Sequence, residues 1–404
     1  MRTEEGFPRS YRACRERFLA CAKALRFSGL NVLHTDYILP IKGPDYETLA
    51  IDFIKIWSHN DYTKAVIVSS GTHGPELLTG SAIQCQLMED VKSGKVLLPR
   101  DTVLLLVHCV NPFGAAWGRR TNIRNIDLNR NFVPDFGQAL QRERIHPQMV
   151  KTQNIYRQYP SLFAPKELGW LDFPRLALLN LIFSHGLQAA RFALSTGQRV
   201  FPMNLYYGGR SLEPETTAVV QNVEQLLFQV GHQVSRVVHI DVHTGAGEYK
   251  EQLIVGSETE DVKVLEQVFG KTIAGIDRGK VTVKGPVEGA IQEGLPRLLK
   301  EVKRVNWLGF GLEYGTEDML RRFLLLRKEN FAHFQCSDFE QFVNLEDQDD
   351  HSKAQSYLKQ SVKAELLELY APSELSWQRS ILRQAREVLK KALEQLSDVP
   401  RARL

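Results

Sequence analysis

The chain has 404 residues, 43% of them hydrophobic and 24% charged, an ordinary globular composition with material for a sizeable core. Its 51 basic and 47 acidic residues leave a net charge of +4, too small to imply a nucleic-acid partner. The longest clean apolar runs, such as Thr102–Val110, are strand-sized against the roughly 20 residues that span a bilayer, so no membrane partner is expected.

The first recognisable element is a helix over Ser10–Phe27, followed by a turn-rich segment around 38–46 (ILPIKGPDY). From Glu47 the pattern ETLAIDFIKIW alternates, which predicts a half-buried strand. Residues 64–70 (KAVIVSS) and 102–110 (TVLLLVHCV) are continuous apolar runs, as in strands buried on both faces. Between them 76–94 has helical periodicity and ends at a glycine, giving a strand-helix-strand unit of the kind that builds parallel sheets.

A long section, about 134–231, reads as a helical insertion. It holds the apolar helical stretch 174–194, the loop NLYYGGRSLEPE at 204–215 and a second helix over 216–233. Further strands follow at 236–244, 251–256 and 305–316, and an amphipathic helical tail at about 372–398. No repeat, linker or composition shift marks a boundary. The expected fold is therefore α/β, with a mixed, largely parallel central sheet flanked by helices, in one catalytic domain over 1–404.

Five cysteines (Cys14, Cys21, Cys85, Cys109, Cys336) form no Cys-x-x-Cys pair and read as reduced thiols. The amino terminus is charged and has no apolar signal core, so a cytoplasmic location is expected.

Four polar clusters close the apolar strands: GTHGPE (71–76), NPFGAAWGRRTNIRNIDLNRNF (111–132), DVHTGAG (241–247) and GLEYGT (311–316). In open α/β sheets ligands bind beyond the carboxyl ends of the strands, so these clusters would meet along one edge. His73-Gly74-Pro75-Glu76 alone is an ordinary strand-to-helix turn, since acids favour helix amino termini. With the other clusters, His73, Glu76 and His243 supply the two histidines and one carboxylate that hold a catalytic zinc. His239 is a rival to His243. Glu313, at the end of an apolar strand, is the natural proton-transfer group, or else an ion-pair partner. The remaining histidines read as core or surface residues.

The ordered set HGPE, RTNIRNIDLNRNF, DVHTG and LEYGT resembles the zinc carboxypeptidase family. More narrowly, it resembles a bacterial branch related to the aspartoacylase and succinylglutamate desuccinylase group. The likeness spans roughly 70–316. It implies one zinc ion per chain on His73, Glu76 and His243, with Glu313 as general base and acid. It implies that Arg120 polarises the scissile carbonyl, that Asn129 and Arg130 grip the substrate's carboxylate, and that Asp127 orients a ligand histidine. Arg119 and Arg124 compete for the role of Arg120, and Asn129 and Arg130 could instead pin a loop.

The activity so implied is cleavage, by zinc-activated water, of an amide bond next to a free α-carboxylate. The substrate would be a peptide or an N-acyl amino acid. The alternatives are an N-acyl amino acid deacylase and a catalytically silent peptide-binding relative. Two departures from the family stand out. The stretch from Asn129 to His243 is long, and no tyrosine lies between Tyr249 and Tyr314, where simple members carry a mobile one. The oligomeric state has no signature in the sequence.

Overall fold

A computed structural model describes residues 6–164, 174–186, 189–190, 193, 197–228, 234–256, 259–270, 290–299, 305–317, 319–335 and 350–394. Its strands are β1 (Asn31–Lys42), β2 (Thr48–Trp57), β3 (Lys64–Ser70), β4 (Thr102–His108), β5 (Arg236–Gly245), β6 (Gln252–Gly256) and β7 (Asn306–Gly315). Before the insertion the helices are α1 (Tyr11–Leu25), α2 (Leu77–Lys92) and α3 (Pro112–Trp117). The insertion contains α4 (Phe136–Ile145), α5 (Pro147–Gln158), α6 (Pro160–Phe163), α7 (Pro174–His185) and α8 (Pro214–Phe228). After β6 come α9 (Thr259–Phe269), α10 (Ile291–Leu298), α11 (Met319–Gln335), α12 (Asp350–Tyr370) and α13 (Leu375–Glu394).

The strands form one mixed sheet in the order β1-β2-β4-β3-β5-β7-β6. The central four, β4, β3, β5 and β7, are mutually parallel, and β1, β2 and β6 run antiparallel to their neighbours. From β3 the chain crosses through α2 to β4 on one side, then returns to β5 on the other. The reversal falls between β3 and β5, and in open α/β sheets ligands bind beyond the carboxyl ends of the strands at such a point.

Alternating strand residues feed two cores. Ala65, Ile67, Val103, Leu105 and Val107 pack on one face, and Val66, Val68, Leu104 and Leu106 on the other. The amphipathic tail helix α13 covers the second face with Ile381, Ala385, Val388 and Leu389, and Trp377 Nε1 donates to the Gly315 carbonyl at 3.0 Å. A third cluster joins the insertion to α11 and α12 through Tyr156, Phe163, Leu181, Phe323, Leu366 and Tyr370.

Two expectations need correction. Residues 31–42 form the edge strand β1, which overlaps the turn-rich segment 38–46 at Ile38–Lys42. Pro40 and the following Gly43-Pro44 mask the strand signal, and the β1–β2 register shifts between Ile38 and Lys42. The neighbouring β2 is buried over almost its whole length instead of on one face. Its polar residues are paired inside: Asp52 accepts from Arg15 at 2.7 Å, and Lys55 Nζ donates to the Leu226 carbonyl at 2.6 Å. Helix α1 begins one residue after Ser10, whose hydroxyl accepts from Ala13 N at 3.2 Å. Parts of both insertion helices read from sequence (174–194 and 216–233), the end of the tail and Cys336 lie outside the described residues. Cys14, Cys21, Cys85 and Cys109 are free thiols.

Candidate metal centre and active site

β3 ends at Ser70, and the chain turns at Gly71 (φ +65°) so that His73 projects beyond the strand. Residues Gly74–Glu76 form a single 3-10 turn with Pro75 in its opening positions, where a missing N–H costs nothing. That turn places His73 and Glu76 side by side, with His73 Nδ1 2.9 Å from Glu76 Oε1. His243 arrives from the last turn of pleat in β5, with its Nδ1 2.8 Å from Glu76 Oε2. Ligand atoms of His73, Glu76 and His243 all lie within 4.8 Å of one another, and all three residues are buried.

Each histidine turns its other nitrogen to a carboxylate. His73 Nε2 lies 3.2 Å from Asp127 Oδ1, and His243 Nε2 makes a 2.5 Å ion-pair contact with Asp241 Oδ2. Histidines that hold a metal are oriented in this way. Asp241 is anchored in turn, accepting from Ser69 Oγ at 2.6 Å and Thr72 Oγ1 at 3.0 Å. Asp127 also accepts from Arg120 Nε at 3.0 Å and from Asn129 N at 3.0 Å. Three buried carboxylates, Glu76, Asp127 and Asp241, thus surround two imidazoles with one guanidinium, that of Arg120, beside them. A divalent cation would balance the remaining negative charge, and two inward Nδ1 atoms with a carboxylate are a suitable donor set. The residues fit a metal ion.

Electrostatics follow from this crowding. Burial alone would push the Glu76 carboxyl up, but His73 and His243 outweigh it and hold it well below the carboxylate range. Burial likewise works against Asp127, and Arg120 and His73 overcome it, leaving that carboxyl well below its usual value. Burial disfavours a charged His243, yet Asp241 and Glu76 raise its pKa well above the ordinary histidine value. Glu313 differs. Burial lifts its carboxyl above the ordinary range and Glu76 adds to the lift, against the opposing pull of His243.

The sequence-derived residues fall as follows. Glu313 pairs directly with His243 in the β5–β7 register and accepts from Ala246 N at 3.5 Å. Arg120 lies at the group, its Nη1 3.9 Å from Glu76 Oε1 and its guanidinium over the Tyr206 ring at 5.6 Å. Its rivals are engaged elsewhere: Arg119 binds Glu329 and Asn125, and Arg124 binds Glu213. His239 stays in the sheet with Nε2 2.9 Å from Ser69 Oγ, outside the metal group. Asn129 and Arg130 follow Asp127 in one 3-10 turn. Asn129 Oδ1 accepts from Ile291 N at 3.2 Å, and Arg130 Nη1 donates to the Asn129 carbonyl at 2.7 Å.

The family model described as Protein of unknown function (DUF2817) matches residues 7–384. The chain belongs to that family. A search of curated proteins finds no match. Among solved structures, the chain is similar to bovine thrombin-activatable fibrinolysis inhibitor in complex with tick carboxypeptidase inhibitor. That match has 13% identity and a TM-score of 0.45, covering 91% of this chain and 99% of that one. It is also similar to a metallo-carboxypeptidase from Pseudomonas aeruginosa (16% identity, TM-score 0.36, covering 87% and 68%). A third likeness is to an aspartoacylase family protein from Mesorhizobium loti (14% identity, TM-score 0.32, covering 73% and 67%).

Four residues at the site were not singled out from sequence. Asp241 lies two residues before His243, so the period-2 strand pattern places both on one face, and that signal was available. Tyr206 comes from the insertion loop, Arg322 from α11 and Tyr370 from the end of α12, where Thr244 Oγ1 donates to its carbonyl at 2.7 Å. Tyr370 is buried near Arg120, Glu76 and Arg322. No spacing rule links these three to the motifs.

Proposed function

We propose that this protein is a zinc-dependent hydrolase of carboxypeptidase type that cleaves an amide bond next to a free α-carboxylate. The observation that carries the reading is the convergence of His73, Glu76 and His243, with Glu313 in register beside His243 and Arg120 next to Glu76. The whole chain is read as one catalytic unit. The metal would be a single zinc ion held by His73, Glu76 and His243. When bound, zinc lowers the pKa of water towards about 7 and polarises a carbonyl.

The chain's own groups supply the rest. Glu313 takes a proton from the attacking water and passes it to the leaving nitrogen. Its raised pKa makes it a better base than an ordinary carboxylate, and the proton it holds is closer in energy to that of the leaving group. Arg120 is fixed through Nε by Asp127, which leaves its terminal nitrogens to face the carbonyl oxygen as negative charge develops there. Asn129 and Arg130 are proposed to receive the substrate's carboxylate, for which a guanidinium fork is well suited. Asp127 and Asp241 keep the two imidazoles oriented.

The test combines metal content with a substrate panel. Protein purified without chelator should hold about one zinc per chain, and His73→Ala should lose it. Turnover of dipeptides with a free carboxylate supports the carboxypeptidase reading. Turnover of N-acyl amino acids without any of peptides would replace it with a deacylase. Metal-loaded protein that cleaves neither class would make a silent binding protein the better account.

A further inference from the structure

Arg322 is the fourth residue of α11, the helix that follows β7. Its neighbour Arg321 turns outward and is paired with Glu317 at 2.6 Å. Arg322 turns the other way. A Cβ placed on Gly245, two residues after His243, would lie 3.0 Å from Arg322 Nη1 and 3.0 Å from Tyr370 Cε1. The guanidinium therefore rests against the glycine that ends β5, as does the ring of Tyr370. Its Nε is buried without a hydrogen-bond partner among the described residues, and no described carboxylate lies within ion-pair distance of it.

The other two arginines at the cleft each donate to an acceptor. Arg120 is neutralised by Asp127 at 3.0 Å, and Arg130 is packed under Gly197 and Gly208 with Nη1 on a backbone carbonyl. A buried guanidinium N–H without an acceptor is costly unless an anion completes it. The charge of Arg322 is felt by Glu313, Tyr206 and Tyr370, so it faces the same space as the proton-transfer carboxylate. We propose that Arg322 receives a second carboxylate of the substrate, distinct from the one assigned to Asn129 and Arg130, so that the cleft selects peptides ending in an acidic residue. Tyr206 and Tyr370 form the walls that hold this side chain. The inference rests on the cleft being the substrate site proposed above.

Binding and turnover can be read separately, using benzoylglycyl-glutamate and its neutral isostere benzoylglycyl-glutamine. Both carry an α-carboxylate, and only the first carries a second one. Zinc-loaded wild-type protein should bind the glutamate compound roughly 10–100-fold more tightly in calorimetry, the span of a charge-assisted hydrogen-bonded pair. Arg322→Met should abolish that ratio while leaving the glutamine compound within about twofold of its wild-type affinity, and Arg322→Lys should keep part of it. Equal weakening of both compounds would place Arg322 at the α-carboxylate or in the framework and overturn the inference. So would a wild-type protein that does not distinguish the two. Selective binding without cleavage would support the Arg322 site while removing the hydrolase reading.

Discussion

His243 and Glu313 are direct partners in the parallel register between β5 and β7, so their side chains leave the sheet on the same face. One strand end therefore delivers a metal-ligand candidate and the next delivers the carboxylate proposed to work beside it. The distance between the two roles is set by sheet geometry, which is more rigid than any loop. Glu313→Gln preserves shape and removes only the proposed proton shuttle. Turnover should fall about 10²–10⁴-fold with metal content unchanged. A steady-state assay paired with elemental analysis checks this, and undiminished turnover would remove Glu313 from the mechanism.

The contact between Asp241 and His243 predicts a different effect. Asp241 holds the outer nitrogen of His243 and is itself held by Ser69 and Thr72. Asp241→Asn presents the ring and those hydroxyls with a neutral group carrying its own donors, so the imidazole loses its fixed orientation. Zinc affinity should drop about 10–100-fold, as for other second partners of metal-bound histidines. Competition against a chromophoric chelator measures it. An unchanged affinity would mean that Asp241 serves only the sheet.

How far the site could be read in advance depended on where its residues lie. His73, Glu76, His243 and Glu313 sit in or directly after strands, where short apolar runs end abruptly in polar residues. Such boundaries are local and therefore visible. Tyr206, Arg322 and Tyr370 reach the cleft only because the insertion, α11 and α12 share one packed cluster, and contacts of that kind leave no spacing in the sequence. The same division applies to the fold. The buried strands β3 and β4 announce themselves as apolar runs, whereas β1 hides behind Pro40 because an edge strand tolerates a missing donor. Burial of Asp52 and Lys55 in β2 was equally invisible, since their partners come from α1 and α8.

The glycine of the His73-Gly74-Pro75-Glu76 turn is explained by space. A Cβ on Gly74 would lie 2.0 Å from the Gly114 carbonyl carbon and 2.4 Å from Ala115 N, both backbone atoms of α3. Backbone cannot swing aside as a flexible side chain can. Gly74→Ala should therefore push the turn away from α3, destabilise the protein by about 1–3 kcal/mol and weaken zinc binding at the same time. Urea unfolding and metal titration on the same variant test both halves. Loss of stability with intact metal affinity would show that the turn moves as a rigid unit.

Stability should also respond to pH through Glu215, which is buried beside the loop that carries Arg120. Burial lifts its carboxyl from 4.5 to about 7, and the neighbouring Glu213 adds to the lift. Asn122 bridges the two acids, donating to Glu213 at 2.8 Å and to Glu215 at 3.5 Å. Because the folded pKa is raised, the folded state holds this proton more tightly than the unfolded chain. The stabilisation is complete below pH 4.5 and is lost as the pH rises through about 7. Glu215→Gln cannot ionise and keeps an acceptor for Asn122. It should match the wild type at pH 4.5 and exceed it at pH 8.5, by up to about 3 kcal/mol from a shift of that size. Denaturant midpoints at the two pH values are the measurement. A constant difference between the variant and the wild type at both would assign the pH dependence to other groups.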